Sequence, residues 1–268
     1  MQEAQIIEYE LTIRLTFFMG IFTIMSILEY LIPKRKLILP KIKRWTNNIA
    51  LVFLNSFLLR IIFPTAAIGI AITAEQNTIG LFNLWKTSSF VSILSCVILL
   101  DLIIYTQHRL FHSIGFFWMF HKVHHSDMDY DLTTGFRFHP IEIGLSMCIK
   151  ITFIFILGVP VAAVILFEVL LSTLAIFNHS NIHISKKIDT ILRYFIVTPD
   201  MHRIHHSIES NELNSNYGFN LSVWDRLFKS YTKDSRYKDT KIIIGLKDFQ
   251  DKSKTVSILS ILKLPFLK

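Results

Sequence analysis

All eleven histidines of this chain lie between His108 and His206, and the flanking residues, more than half of the protein, contain none. Ten of the eleven fall into four clusters: His108-x3-His112, His121-x2-His124-His125, His179-x3-His183 and His202-x2-His205-His206. Neutral imidazole is the commonest metal-binding side chain, and residues three or four apart on a helix share a face. Each cluster can therefore turn its rings toward one point. HxxxH followed by HxxHH occurs twice in that order, which unrelated core or surface histidines would not produce. Any fold for this chain has to bring four separated segments to a common metal site.

Within HxxHH the adjacent pair diverges by about 100° around a helix, so it can address two centres. Ten imidazoles over two ions give five each, leaving a sixth position open to oxygen or water. A structural site would be closed. The donor set leaves the metal open, since imidazole suits zinc and copper as well as iron.

The remaining sequence places that site at a membrane. Of 268 residues, 51% are hydrophobic and 18% charged, and the mean hydropathy of +0.45 is too high for an ordinary soluble domain. A bilayer span needs about 20 largely apolar residues. Leu15–Ile32, Ile49–Ile72 and Phe90–Ile104 are expected to cross. A fourth apolar region, Leu145–Phe177, is too long for one straight span and too short for two full ones, and Gly158 and Pro160 interrupt it. It reads as two short helices forming a hairpin that enters and leaves on one side. The expected fold is an all-α integral membrane protein, a single domain over residues 1–268, with three spans plus a helical hairpin and a histidine-rich cap.

Glu3, Glu8 and Glu10 stand where a secretory signal would be basic, so the first apolar stretch is expected as a retained anchor. Lys34, Arg35, Lys36, Lys41, Lys43 and Arg44 put the first loop on the cytoplasmic side. The weakly charged loop from Glu75 to Lys86 belongs outside. Span three then returns to the cytoplasm, and the hairpin keeps every histidine cluster there. The net charge of +8 suits anionic lipid. Nucleic acid is not expected as a partner, because the basic residues carry no binding motif or aromatic interleaving. Cys96 and Cys148, both in apolar segments, support neither a disulfide nor a thiolate metal site.

Other polar residues stand near the clusters. Asp101, Tyr105, His108 and His112 share one helical face, and an ionisable residue within a span is a functional suspect by default. Asp101 can orient a ligand or simply hydrogen-bond a neighbouring helix. Thr198, Pro199 and Asp200 mark a helix start just before His202. His139 has no histidine neighbour and stays outside the ligand set. Asp127-x-Asp129-x-Asp131 begins like a calcium loop but has Leu132 and Phe138 where Gly and Glu are needed. Asn178-His-Ser180 and Asn220-Leu-Ser222 match the glycosylation pattern but would never meet the lumen on this topology. Glu168 either lines the hairpin interior or pairs with a Lys or Arg.

The chain resembles the fatty acid hydroxylase and sterol desaturase superfamily of membrane di-iron oxygenases. The matching stretches are Asp101–His112, His121–Ser126, Gly135–Glu142, Asn178–His183 and Thr198–Ser207, with Asn216-Tyr217-Gly218 and Trp224–Phe228 beyond them. The resemblance covers residues 95–232, the expected catalytic region. Lys229-Ser230-Tyr231 departs from an expected Gly-Thr-Tyr. The resemblance implies two irons held by His108, His112, His121, His124, His125, His179, His183, His202, His205 and His206. It implies O2 as co-substrate and hydroxylation or desaturation of a lipid C–H bond. Asp101, Tyr105, His139 and Asn178 are the candidates to orient those ligands. No haem motif or GxGxxG is present, so electrons are expected from a ferredoxin, a cytochrome or a flavoprotein reductase. The membrane would be the inner or plasma membrane in a bacterium, or the endoplasmic reticulum in a eukaryote.

Two other functions compete. Zinc-dependent hydrolysis needs only three protein ligands and a base, far fewer than ten imidazoles. A metal transporter or sensor would place ligands near the middle of several spans, where only Asp101 and Glu168 stand.

Overall fold

A computed structural model describes residues 3–85, 88–237 and 241–267. The described residues form helices and loops with isolated bridges and no strand. In chain order the helices that position the site are α1 (Glu3–Glu8), α2 (Glu10–Leu31), α3 (Lys41–Ile62), α4 (Ala66–Gln76), α5 (Leu81–Leu84), α6 (Ser89–Ser113), α7 (Gly115–His125), α8 (Pro140–Leu157), α9 (Val161–Asn178), α10 (Lys186–Leu192) and α11 (Pro199–His205). Five segments are long and apolar enough to cross a membrane: α2, the stretch Lys41–Leu84, α6, α8 and α9. These are the helices of an integral membrane protein. Outward-facing Phe17, Ile24, Phe53 and Phe57 remain exposed, an apolar surface that lipid would cover.

The expected second span, Ile49–Ile72, is not one helix. It begins earlier, at Lys41, and breaks at Phe63–Thr65. Pro64 has no N–H to donate and its ring clashes with the preceding turn, so α3 stops at Ile62 and α4 starts separately at Ala66. The break lets α4 bury Ala67, Ala71 and Ala74 against α8 and α9.

The fourth apolar region divides as expected into two helices joined by Gly158-Val159-Pro160. Pro140 suits the first position of α8, and the His139 ring accepts the Ile141 N–H at 3.2 Å. Gly158 ends the helix in the left-handed region at φ 65°. A Cβ on Gly80 would fall 2.2 Å from the Gly158 nitrogen, so the turn after α4 lies directly on the hairpin tip. The N-terminus of α8 and the C-terminus of α9 both open toward the histidines. The core between α4, α6, α8 and α9 holds Ala67, Cys96, Leu100, Ile154, Ala163 and Phe167.

Buried ion pairs tie the N-terminal helices to the histidine segments. Arg44 of α3 reaches Asp127 Oδ2 through Nη2 at 2.7 Å and Asp131 Oδ2 through Nη1 at 2.5 Å. Asp129 accepts the Ile38 and Leu39 amides. The aspartates of the rejected calcium loop are thus spent on arginine and backbone. The Glu29 carboxylate of α2 accepts the amides of Leu132 and Asn181 at 2.7 and 2.8 Å. Between the helices, Glu168 pairs with Lys150 and with Arg14, the latter at 2.5 Å.

Candidate metal centre

Four segments deliver the histidines. The last turns of α6 carry His108 and His112, α7 carries His121, His124 and His125, the residue after α9 is His179, and α11 carries His202 and His205 with His206 at its end. Thr198 caps α11 by accepting the Met201 N–H, and Pro199 occupies its first position, so the spacing of the last box is fixed where it begins.

Nine of the ten expected imidazoles come together in two groups. One comprises His108, His112, His121, His125 and His205, and the other His124, His179, His202 and His206. Within each group the ligand atoms lie within 4.8 Å of one another. The adjacent pairs His124-His125 and His205-His206 divide between the two groups, as their angular divergence on a helix requires.

The tenth, His183, lies in neither group. Its ring is exposed. The expected HxxxH spacing assumed a continuing helix, but α9 ends at Asn178 and the chain beyond runs extended against Pro33, with the His183 N–H donating to Ile32 O. Four positions along such a chain do not return a side chain to the same face.

The rings are held from behind. His121 Nδ1 meets Glu142 Oε1 at 2.6 Å, and Nδ1 of His108, His179 and His205 meets the carbonyls of Tyr217, Ala175 and Ser215 at 2.7 to 2.8 Å. Such contacts fix the tautomer and turn Nε2 toward the centre. His108 and His205 each donate Nδ1–H to a carbonyl, so both Nε2 atoms present lone pairs, and they face each other at 3.0 Å. His179 Nε2 meets His124 Nε2 at 3.2 Å and His202 Nε2 at 3.1 Å. Further buried nitrogens on His112, His121, His125 and His206 have no partner. Buried polar atoms without partners are costly, and acceptors crowded face to face are what a cation between them relieves. The donor set fits one ion in each group. Burial pushes His121 down to about 3, and burial followed by neighbouring imidazoles holds His125, His202 and His206 well below the ordinary histidine range. The rings are neutral and able to ligate.

The other expected residues take supporting places. Asp101 Oδ2 accepts the Trp224 indole N–H at 2.8 Å and the Leu221 amide at 3.1 Å, and so anchors the C-terminal segment rather than a ring. Tyr105 hydrogen-bonds Ser230 and stacks on Phe228. Asn178 donates to Phe219 O, while its own carbonyl accepts the Tyr130 hydroxyl. His139 caps α8. Sequence reasoning passed over Glu142 as a partner of the site; its signal was an acid at the start of an otherwise apolar helix, three residues after His139.

Beside the histidines lies a cavity of about 240 Å³. His108, His121 and His124 form its polar end, and Leu59, Ile104, Phe111, Phe138 and Leu171 form much of its wall. Phe138 stacks on His124 with centroids 4.5 Å apart.

Residues 93–230 match the fatty acid hydroxylase family. The chain belongs to that family. It is 31% identical over 141 residues to an ornithine lipid hydroxylase of Rhizobium tropici, a match covering 52% of this chain and 41% of the relative. It is 29% identical over 152 residues to an alkylglycerol monooxygenase of Caenorhabditis elegans, covering 55% of this chain and 28% of the relative. The human alkylglycerol monooxygenase matches at 26% over 147 residues, covering 53% and 30%. The chain thus spans less than half the length of each of these relatives. No solved structure matches it.

Proposed function

We propose that this chain is a membrane-bound oxygenase that hydroxylates a C–H bond of a lipid with O2, two iron ions and electrons from a separate protein. The observation that carries this reading is the pair of imidazole groups, five and four, opening on an apolar cavity between helices able to span a bilayer. The relatives named for hydroxylation of ornithine lipid and for alkylglycerol monooxygenation support the substrate class.

His108, His112, His121, His125 and His205 would hold one iron, and His124, His179, His202 and His206 the other. Bound there, the irons would supply the activation of O2 for C–H oxidation. Glu142 and the Tyr217, Ser215 and Ala175 carbonyls hold the rings in their ligating tautomers. The apolar wall receives an alkyl chain from the bilayer and keeps bulk water from the centre. The basic loop Lys34–Arg44 favours a cytoplasmic face for the histidines, where soluble electron donors are available.

The test is growth of expressing and control cells under 18O2, followed by mass spectrometry of their lipids. One labelled hydroxyl in a new lipid species supports hydroxylation. Loss of two hydrogens without label would make the protein a desaturase. Unchanged lipids with altered metal uptake would end the enzyme reading in favour of transport.

A further inference from the structure

On α8, Glu142, Ser146 and Lys150 are spaced four apart and share one face. All three line the cavity beside the histidines. Each engages a different helix: Glu142 meets His121 of α7, Ser146 meets Gln107 of α6, and Lys150 meets Glu168 of α9. Glu142 is committed to the metal-facing ring. Lys150 is committed to Glu168. The middle rung keeps unused capacity. Gln107 Nε2 donates to Ser146 Oγ at 2.6 Å, which leaves the serine hydroxyl proton free to donate. Gln107 Oε1 has no partner, although the residue is only 9% exposed. An orphaned buried acceptor is costly to leave unmade.

The same situation recurs next door. A second cavity shares Leu59, Phe138, Ile143, Lys150, Leu171 and Phe219 with the first. Asn55 lines it, and its Nδ2 donates to Phe138 O at 3.0 Å. A carbonyl can only accept, so the amide orientation is set, and Asn55 Oδ1 is likewise buried without a partner. Two residues with unsatisfied buried amide oxygens thus line adjoining apolar cavities that share six residues.

We propose that Gln107, with Asn55 in support, selects a lipid that carries a hydrogen-bond donor, a hydroxyl or a secondary amide N–H, close to the carbon that is oxidised. This rests on the lipid hydroxylase reading and narrows its substrate class. The position follows from α8. Ser146 lies one turn beyond Glu142, a rise of about 6 Å, and Gln107 immediately precedes His108. A donor held there leaves the neighbouring carbons, not the far chain terminus, at the histidine end of the cavity. Simple esters and ethers without a hydroxyl or N–H satisfy neither oxygen.

The test uses two probes of equal shape, N-methylhexadecanamide and methyl hexadecanoate, which differ in N–H against O. Binding to the iron-loaded protein in detergent is followed by thermal unfolding at rising probe concentration. The amide is expected to bind about tenfold more tightly than the ester, the scale of one buried hydrogen bond. Gln107→Leu is expected to remove that preference, and Asn55→Leu to reduce it. Ser146→Ala should weaken both probes alike, because both carry a carbonyl for its hydroxyl. Loss of all binding by a variant that still holds iron would signal a merely structural role for Gln107 and overturn the proposal. Equal binding of the two probes to the unmodified protein, absence of binding, or a preference that survives both leucine substitutions would also overturn it. Should Gln107→Leu fail to fold, hexadecanol against its methyl ether on the unmodified protein repeats the comparison, and equal affinity there sinks the idea. Binding preference is read without turnover. An amide preference in a protein that adds no 18O would uphold the anchor and reject the oxygenase, and 18O incorporation without any preference would do the reverse.

Discussion

Glu142 Oε1 lies 2.6 Å from His121 Nδ1, the one carboxylate contact among the nine gathered imidazoles in the described residues. Both side chains are buried, and α7 and α8 meet through them. The carboxylate fixes the ring orientation and raises the basicity of the opposite nitrogen. Glu142→Leu is expected to lower metal affinity or activity by about 10- to 100-fold. Glu142→Gln, which keeps an acceptor for Nδ1–H, should lose less. Metal content after dialysis at graded chelator concentration measures both, and equal metal retention by the leucine variant and the unmodified protein would contradict this role.

The purified protein is expected to hold two metal ions per chain, and His205→Ala should lose the ion of its group while still inserting into the membrane. Loss of turnover should be near complete. Elemental analysis of the folded variants is the measurement, with His183→Ala as the comparison. The exposed His183 predicts full metal content, and a loss there equal to that of His205→Ala would refute the grouping.

His139→Ala removes an N-cap, not a ligand. It is expected to cost about 1 kcal/mol of stability and to leave metal content unchanged. Thermal denaturation alongside elemental analysis separates the two effects.

Arg44→Leu would leave Asp127 and Asp131 as buried charges without their principal partner. Breaking a buried pair from one side costs about 3 to 5 kcal/mol. The expected result is a strongly lowered unfolding temperature even though Arg44 touches no imidazole. A change within the error of the measurement would show that the two aspartates find other partners.

Single cysteines at Lys41 and Lys187, introduced into a Cys148→Ser background, should be labelled from the same side of the membrane, and one at Thr78 from the opposite side. Thr78 and Lys187 are exposed and Lys41 is half-buried. Labelling of 41 and 187 from opposite sides would mean that α8 and α9 do not return together.

Much of the site was legible because a histidine on a helix carries its direction with it. His108, His112, His121, His124, His125, His202, His205 and His206 lie on or at the end of helices, and their spacing was enough to expect them at a common site. His183 was misplaced for the complementary reason. Spacing gives direction only while the helix lasts, and no Gly or Pro near Asn178 marks its end. The Gly158–Pro160 break was visible as a breaker inside an apolar run, whereas Pro64 does the same inside Ile49–Ile72 and was absorbed into a continuous span. The contacts of Glu142, Arg44 and Glu29 were not legible, because each depends on a partner between 21 and 152 residues away.

Residues 93–230 carry the family match, yet Arg44 and Glu29, which hold Asp127, Asp131, Leu132 and Asn181 in place, lie outside it. The family-matched stretch is therefore not expected to be a transplantable module. Fused to a foreign membrane anchor, it would present a buried acidic cluster without Arg44, its principal counter-charge, and two unclaimed backbone amides beside the ring-bearing segments. Exchange between members of such a family would have to carry the first two long helices along with the histidines, and a chimaera that swaps only the matched segment should fail at assembly before it fails at chemistry.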